Sequence, residues 1–346
     1  MAFPSQRLRR LRQNQQLRSL VREHELSISK LILPLFVVPG QGIRLEIASL
    51  PGNYHLSIDR LIEEALTARD LGIPAVLLFG IPESRDEEGS GAYAPHGIVQ
   101  EAVRALKMNV PDLVVMTDVC ACEYVTSGHC GFIKGGYLDN DSSLELVTKI
   151  ALSHAEAGSD MVAPASMLDG QIHAIREALD GAGFHNLPIM AYAAKFASGL
   201  YDPFFKEGTK STVAFGDKKT HQMDFSNSDE AMREIELDIE EGADIIMVKP
   251  ALFYLDIVAR AKREFHMPLA VYGVSGEYAM IDAAARLGRV NRDAIMIEAL
   301  TAMKRAGADL IITYFAMRAA EVLANHERWT AGSVDRSRLE ALVANG

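Results

Sequence analysis

Two lysines stand where an ammonium group is poorly placed. Lys249 closes the apolar run Ile245-Ile-Met-Val248 and precedes Pro250, and Lys195 closes the run Met190-Ala-Tyr-Ala-Ala194. A cation at the edge of a buried strand is costly unless it is neutral or paired. If the two share a pocket, each disfavours charge on the other. The neutral amine that results is the form that attacks a carbonyl to make a Schiff base. The plainer reading is that both lysines snorkel to water or pair with a carboxylate such as Asp118.

The three cysteines of the chain fall within one short stretch, Asp118-Val-Cys-Ala-Cys-Glu-Tyr-Val-Thr-Ser-Gly-His-Cys-Gly131. An odd, clustered set is a poor disulfide framework, which leaves metal binding or free thiols. Cys120, Cys122 and Cys130 would offer three soft ligands to a zinc ion and leave a fourth position for water or substrate, as catalytic sites do. His129 could instead close a structural site. The C-x-C spacing is not the usual C-x2-C knuckle, so spacing alone does not choose between these and buried free cysteines.

The carboxylates Asp118, Glu123 and Asp169 also lie near expected strand ends and could move protons. Loop acids are common, and only Asp118 stands out. Ser275, in Val274-Ser-Gly-Glu-Tyr278, and Tyr314 could donate hydrogen bonds to a substrate carboxylate, or could be satisfied core polar groups.

These residues need elements to hold them. Short apolar, β-branched runs recur at Leu31–Val38, Ala75–Gly80, Leu113–Val119, Met161–Ala165, Ile189–Ala194, Ile245–Val248, Leu269–Val274 and Leu310–Tyr314, and such runs read as buried parallel strands. Amphipathic stretches between them, such as Ser57–Leu71, Leu144–Ala157, Gln171–Leu179, Ser228–Glu241 and Tyr254–Phe265, carry apolar residues at helical spacing. Several helices end on an equivalent glycine: Asp70-Leu-Gly72, Ala157-Gly-Ser-Asp160, Glu241-Gly-Ala-Asp244 and Arg305-Ala-Gly-Ala-Asp309. Glycine there suits a left-handed C-cap. Eight βα units predict an α/β fold of the (β/α)8 TIM-barrel type, with a doubly wound sheet as the other arrangement this pattern permits. In a barrel the polar residues above would converge at the C-terminal mouth.

Residues 1–30 read as an extended N-terminal arm with a short helix around Gln15–Glu23, residues 31–325 as the catalytic barrel, and residues 326–346 as a C-terminal tail. The arm gathers Arg7, Arg9, Arg10, Arg12 and Arg18. A subunit-docking role is favoured for it over RNA or membrane binding. The stretch from about Leu200 to Asn227 is long, glycine-rich and without periodicity, which suits a lid.

The 346-residue chain is 49% hydrophobic and 23% charged, with a formal net charge of −11. That composition fits a soluble globular protein and argues against a nucleic-acid partner, since phosphate neutralisation needs a basic surface. No run reaches a membrane span and the start lacks a signal-peptide core, so a cytoplasmic protein acting on small molecules is expected.

The motifs together resemble the porphobilinogen synthase, or 5-aminolevulinate dehydratase, family over essentially the whole chain. The matching stretches are Thr117-Asp-Val-Cys-Ala-Cys-Glu-Tyr124, Gly128-His-Cys-Gly131, Ala191-Tyr-Ala-Ala-Lys-Phe-Ala-Ser198, Met247-Val-Lys-Pro250 with Tyr254-Leu-Asp256, and Val274-Ser-Gly-Glu-Tyr-Ala-Met280. The resemblance implies a heme-pathway lyase that joins two 5-aminolevulinate molecules, releases two waters and yields the pyrrole porphobilinogen. It implies a homo-oligomer, an octamer or a hexamer or dimer, whose arms embrace neighbouring subunits. Lys249 would form the Schiff base of the first site, with Ser275 and Tyr314 holding the substrate carboxylate, and Lys195 that of the second. Cys120, Cys122 and Cys130 would match the zinc-using branch, with Asp118 assisting deprotonation of the second substrate. Glu234 matches a position that holds an allosteric magnesium ion in some members.

The chain departs from the family at the clamp for the second carboxylate. The family reads Pro-Phe-Arg where this chain has Pro203-Phe-Phe205 followed by Lys206, and it carries arginine after Gly-Asp where Lys218 stands. Exchanging arginine for lysine loses bidentate geometry, and exchanging it for phenylalanine loses the charge. Ala165 and Ala193 stand where serine is usual, and Asp202 where glycine is usual. These changes motivate an alternative: a divergent paralogue that pairs 5-aminolevulinate or a related amino ketone with a different second substrate.

Overall fold

The structure is a computed structural model that describes residues 3–332. Eight strands occupy the expected runs: β1 Leu31–Val37, β2 Ala75–Gly80, β3 Val114–Val119, β4 Met161–Pro164, β5 Met190–Lys195, β6 Ile245–Lys249, β7 Leu269–Gly273 and β8 Leu310–Thr313. They pair in parallel in the order β4-β3-β2-β1-β8-β7-β6-β5. A parallel bridge between Val162 and Ile189 joins the two ends of that order, so the sheet closes as a barrel rather than lying open. The strands lack the alternation of a half-exposed sheet because side chains on both faces are covered, those inside by the barrel core and those outside by helices.

Helices follow the strands: α1 Ile58–Asp70, α2 Ile98–Asn109, α3 Asn140–Ala157, α4 Gln171–Gly181, α5 Ser228–Glu240, α6 Leu255–Phe265, α7 Ser275–Arg286, α8 Arg292–Ala306 and α9 Ala316–Gly332. Several lay an apolar stripe on the sheet, as α6 does with Ile257, Val258 and Ala261. Among the described residues no helix is long and apolar enough to cross a membrane.

The repeated helix endings have a second function in the barrel. Gly158, Gly242 and Gly307 take φ of 96°, 106° and 127°, a region glycine enters without a Cβ penalty. The aspartate two residues on then reaches sideways. Asp160 accepts the Val115 amide at 2.8 Å, Asp244 the Ile189 amide at 2.8 Å and Asp309 the Leu269 amide at 3.0 Å. Each carboxylate, just ahead of its own strand, thus caps the start of the preceding one and fixes the pairs β3–β4, β5–β6 and β7–β8 at the end of the barrel opposite the mouth.

The arm holds a helical turn at Leu8–Arg12 and a short helix at Gln15–Leu20, neither of which buries a residue. The helix ends three residues before the expected Glu23. Helix α9 runs through the 325/326 boundary, and residues 333–346 of the expected tail lie outside the described residues. The aperiodic segment after β5 contains two compact turns, Gly199–Tyr201 and Phe204–Gly208, that fold over the barrel mouth. Their short helices bury Tyr201 and Phe204 and are too brief to leave a periodic signature.

Candidate active site

Adjacent strands β5 and β6 end in register, with Lys195 and Lys249 opposite one another. Both side chains are buried, their residues being 5% and 6% exposed. The Lys249 ammonium faces aromatic rings, at 4.3 Å from the centre of Tyr272, 5.0 Å from Tyr192, 5.2 Å from Phe204 and 5.4 Å from Tyr201. Among the described residues it donates no hydrogen bond. Burial, followed by the positive charge of Lys195, brings its pKa down to about 7. Snorkelling is therefore not what these lysines do. The Lys195 ammonium is tied to the carbonyl of Ala165, at the end of β4.

Asp118, at the end of β3, shares this cleft. One of its carboxylate oxygens is fully buried without a partner. Burial first, and then negative charge on Cys120, raises its pKa to about 7, against the opposing pull of the two lysines. A carboxyl poised there can take or return a proton near neutral pH.

The loop after β3 folds so that the Cys120, Cys122 and Cys130 sulfurs come within 4.8 Å of one another. All three are buried and free of disulfides, and Cys120 Sγ lies 3.3 Å from Cys122 Sγ. The neighbouring thiols hold the Cys120 pKa well below its ordinary value and push Cys122 up, so one proton leaves the cluster readily. Three soft donors on one side of a polar cleft fit a borderline ion such as zinc. His129 does not complete the set. Its Nε2 is bonded to the Phe215 carbonyl at 3.1 Å and its ring lies 5.1 Å from the Phe215 ring.

The lid departures pair with each other. Lys206 is exposed and bonded to Asp202 at 2.6 Å, so two of the positions singled out as departures in the sequence hold one another. Phe205 packs inward, and Lys218 Nζ, buried and without a hydrogen-bond partner, lies 4.1 Å from its ring centre. Burial works against the Lys218 charge, but the neighbouring cysteine cluster and Glu123 outweigh it and hold its pKa above the ordinary value. Phe79, Asp118, Lys195, Lys249, Phe205 and Lys218 are among the residues that line one narrow cleft beneath the lid.

Ser275 starts α7 beside the mouth. Its hydroxyl donates to the Leu200 carbonyl and accepts the Phe204 amide, both at 3.1 Å, and so pins the lid. Tyr314 is bonded through its hydroxyl to Tyr272 at 3.0 Å, which joins it to the aromatic floor under Lys249. Glu234 lies on α5, outside the residues that line the cleft, where burial and the charges of Asp169, Glu230 and Glu241 raise its pKa. Asp169 likewise stands apart from the cleft lining.

Three features went unread in the sequence. The floor tyrosines Tyr192 and Tyr272 sit inside apolar runs and look like ordinary strand residues. Glu277 is buried and accepts the amides of Ala251, Leu252 and Val274, tying the turn after Lys249 to the start of α7. Its spacing after Val274 matches half a capping box, a signal that was available. His221 is half-buried near both Lys195 and Lys218, and burial lowers its pKa to about 3.

Comparison with known proteins gives a consistent result. The family described as delta-aminolevulinic acid dehydratase matches residues 5–322. A delta-aminolevulinic acid dehydratase of Synechocystis is 53% identical over 325 residues, covering 93% of this chain and 99% of that protein. The Bacillus subtilis enzyme of the same name is 50% identical over 318 residues, 92% of this chain and 98% of its own. Among solved structures, Toxoplasma gondii delta-aminolevulinic acid dehydratase in complex with the reaction product porphobilinogen superposes with a TM-score of 0.89 at 41% identity, covering 91% of each chain.

Proposed function

Because this chain belongs to the delta-aminolevulinic acid dehydratase family, a family of lyases, we propose that it condenses two molecules of 5-aminolevulinate to porphobilinogen with release of two waters. The observation that carries this reading is the in-register pair of buried lysines, Lys195 and Lys249, at the mouth of the barrel.

Lys249 is the first nucleophile. With a pKa near 7 a large share of its amine is neutral at neutral pH, and it adds to the substrate ketone, whose oxygen leaves as water when the Schiff base forms. The aromatic floor excludes bulk water and gains from cation–π contact with the iminium, by roughly 0.5–2 kcal/mol per well-placed ring. Tyr314 and Ser275 hold the carboxylate of that substrate, Ser275 exchanging its lid contacts for the ligand. Lys195 forms the Schiff base with the second substrate, and Asp118 accepts the proton that the second substrate must lose before the new bonds form.

Zinc is the ion we assign to Cys120, Cys122 and Cys130, where it supplies a Lewis acid beside the second substrate. Glu234 is the assigned ligand of a magnesium ion, in keeping with the oxygen donors Asp169, Glu230 and Glu241 whose charges bear on it. The arm, which presents Phe3, Leu8, Leu11 and Leu20 to solvent, docks on further copies of this chain in a cytoplasmic homo-oligomer.

One observation favours a narrower second reading. Phe205 caps Lys218 where the family carries arginine, which would admit a second amino ketone with a less anionic tail. A single experiment separates the two. Zinc-loaded protein is incubated with 5-aminolevulinate and analysed by mass spectrometry for a product equal to two substrates less two waters. Rapid product formation supports the synthase. Substrate trapped on Lys249 by borohydride, with no product released, supports the second reading.

A further inference from the structure

Three consecutive carbonyls at the end of the Phe204–Gly208 turn, those of Gly208, Thr209 and Lys210, are taken by side chains from other parts of the barrel mouth. Arg85, in the loop after β2, donates from one guanidinium nitrogen to Thr209 at 3.2 Å and to Lys210 at 2.6 Å. His55, in the segment after β1, donates from Nε2 to Gly208 at 2.6 Å. Just ahead of them the Glu207 carboxylate accepts the Ser49 amide at 2.8 Å. Among the described residues no backbone amide reaches the Thr209 or Lys210 carbonyl.

Arg85 is placed unusually for an arginine. Glu83, Asp86, Glu87 and Glu88 lie within three residues of it, yet among the described residues its guanidinium forms no ion pair and is directed at neutral carbonyls 124 and 125 positions away. Its base is fixed. The Asp86 amide donates to the Tyr124 carbonyl at 3.2 Å and the Asp86 carbonyl accepts the Thr126 amide at 2.9 Å, which stitches the loop after β2 to the cysteine loop. The turn that it grips is under strain, because Lys210 has a φ of 55°, a left-handed conformation that costs energy for a residue with a Cβ. Bonds made by side chains alone can break and re-form without unravelling a strand or helix. A fixed base, a charged donor and a strained turn held in that way are the parts of a latch.

We propose that Arg85, assisted by His55, is a positioning residue that latches the lid over the barrel mouth. Through the lid it places Phe205 and Lys218, which line the cleft together with Lys195 and Lys249, against the second substrate. The catalytic consequence rests on the synthase reading; the latch itself does not.

Hydrogen exchange of the full-length protein without substrate tests the latch, and steady-state kinetics with 5-aminolevulinate test its consequence, for wild type, Arg85→Ala and Arg85→Lys. The informative peptides cover residues 204–215, where the Thr209 amide is bonded to the Phe204 carbonyl and the Ala214 amide to the Ser127 carbonyl. Arg85→Ala is expected to speed exchange there by roughly tenfold or more, the order that follows from losing a hydrogen bond to a charged group, and to leave the barrel strands at wild-type rates. KM should rise by a similar factor with kcat changed less, since holding the lid adds binding common to the ground and transition states. Arg85→Lys keeps the charge without the planar fork and should fall between the two in both measurements. Wild-type exchange over residues 204–215 in Arg85→Ala would overturn the proposal, as would acceleration spread evenly over the barrel, or a fall in kcat with KM unchanged. Should Arg85→Ala not fold, Arg85→Lys decides, and a lid as protected as in the wild type counts against the latch. A wild type that makes no product removes the synthase reading and leaves the latch to be decided by exchange alone.

Discussion

The Lys218 ammonium lies 4.1 Å from the centre of the Phe205 ring, buried beneath the lid and without a hydrogen-bond partner. Two positions at which the sequence resemblance leads one to expect arginine thus touch one another here, and they form a cation–π contact. A point charge held by a ring binds a carboxylate less tightly than two forked guanidinium groups. Restoring both, as Phe205→Arg with Lys218→Arg, is expected to lower KM for 5-aminolevulinate by about tenfold or more, since each charge-assisted hydrogen bond is worth ~1.5–3 kcal/mol. Steady-state kinetics would check it. An unchanged KM would mean that the second carboxylate is held elsewhere.

The pairing of Lys195 with Lys249 predicts a particular pH response. Lys249 is neutral above a pKa of about 7, so borohydride trapping of substrate on it should rise as the pH passes through that value. Lys195→Met removes the like charge and should move the rise to more alkaline pH, while Lys249→Ala should abolish it. Mass spectrometry of the trapped adduct reads both. A profile in Lys195→Met that coincides with the wild type would show that the two ammonium groups do not interact.

The same depressed pKa has a consequence for stability. Between about 7 and the ordinary 10.5 the unfolded chain binds a proton at Lys249 that the folded chain does not, so this group makes stability rise with pH across that window. Below it the penalty is present in full. Lys249→Met should resist denaturant better than the wild type below pH 7, with the advantage shrinking as the pH rises through the window. Urea titrations at several pH values give the comparison, and an advantage that does not depend on pH would point to packing instead of charge.

Much of this was legible in the sequence, for identifiable reasons. Buried parallel strands write themselves as short β-branched runs, so the strand positions were recovered to within a residue at each end. Lys195 and Lys249 were visible because a charge at the end of such a run is anomalous. The lid contacts were not visible. Ser275 meets Leu200 and Phe204 across more than seventy residues, and nothing local to Ser275 announces it. The Asp202–Lys206 pair had the right spacing for a helical contact, but its segment shows no helical period, and the turn of Phe204–Gly208 that joins them is set by burial of Phe204 against Phe36 and Phe79. The floor tyrosines escaped because hydrophobic pattern reports burial and not which face of a strand meets the substrate.

Ser275 offers a test of the lid that does not depend on chemistry. Its hydroxyl satisfies the Phe204 amide and engages the Leu200 carbonyl, and removing it leaves a buried donor unpaired at a cost of ~1–3 kcal/mol. Ser275→Ala is expected to speed amide hydrogen exchange across Phe204–Gly208 while leaving β6 and β7 protected. Exchange that accelerates uniformly across the barrel would instead mean that Ser275 supports the fold as a whole.

The Gly-x-Asp endings carry the last prediction. In each, the glycine turns the chain and the aspartate caps the preceding strand, so one motif sets both the helix end and the pairing of two strands. For Asp244 the bond to the Ile189 amide, at 2.8 Å, lies where the Val162–Ile189 bridge closes the barrel. Asp244→Ala leaves that amide without its acceptor and should lower unfolding stability by ~1–3 kcal/mol. Asp244→Asn keeps an acceptor oxygen and should cost less. Gly307→Ala is disfavoured on separate grounds, since its φ is 127° and an added Cβ would meet Lys262 Cβ at 2.8 Å. Chemical denaturation of the three variants orders them. If Asp244→Ala were as stable as Asp244→Asn, the carboxylate's acceptor role at the start of β5 would be refuted, and the β5–β6 pair would rest on its backbone ladder and packing.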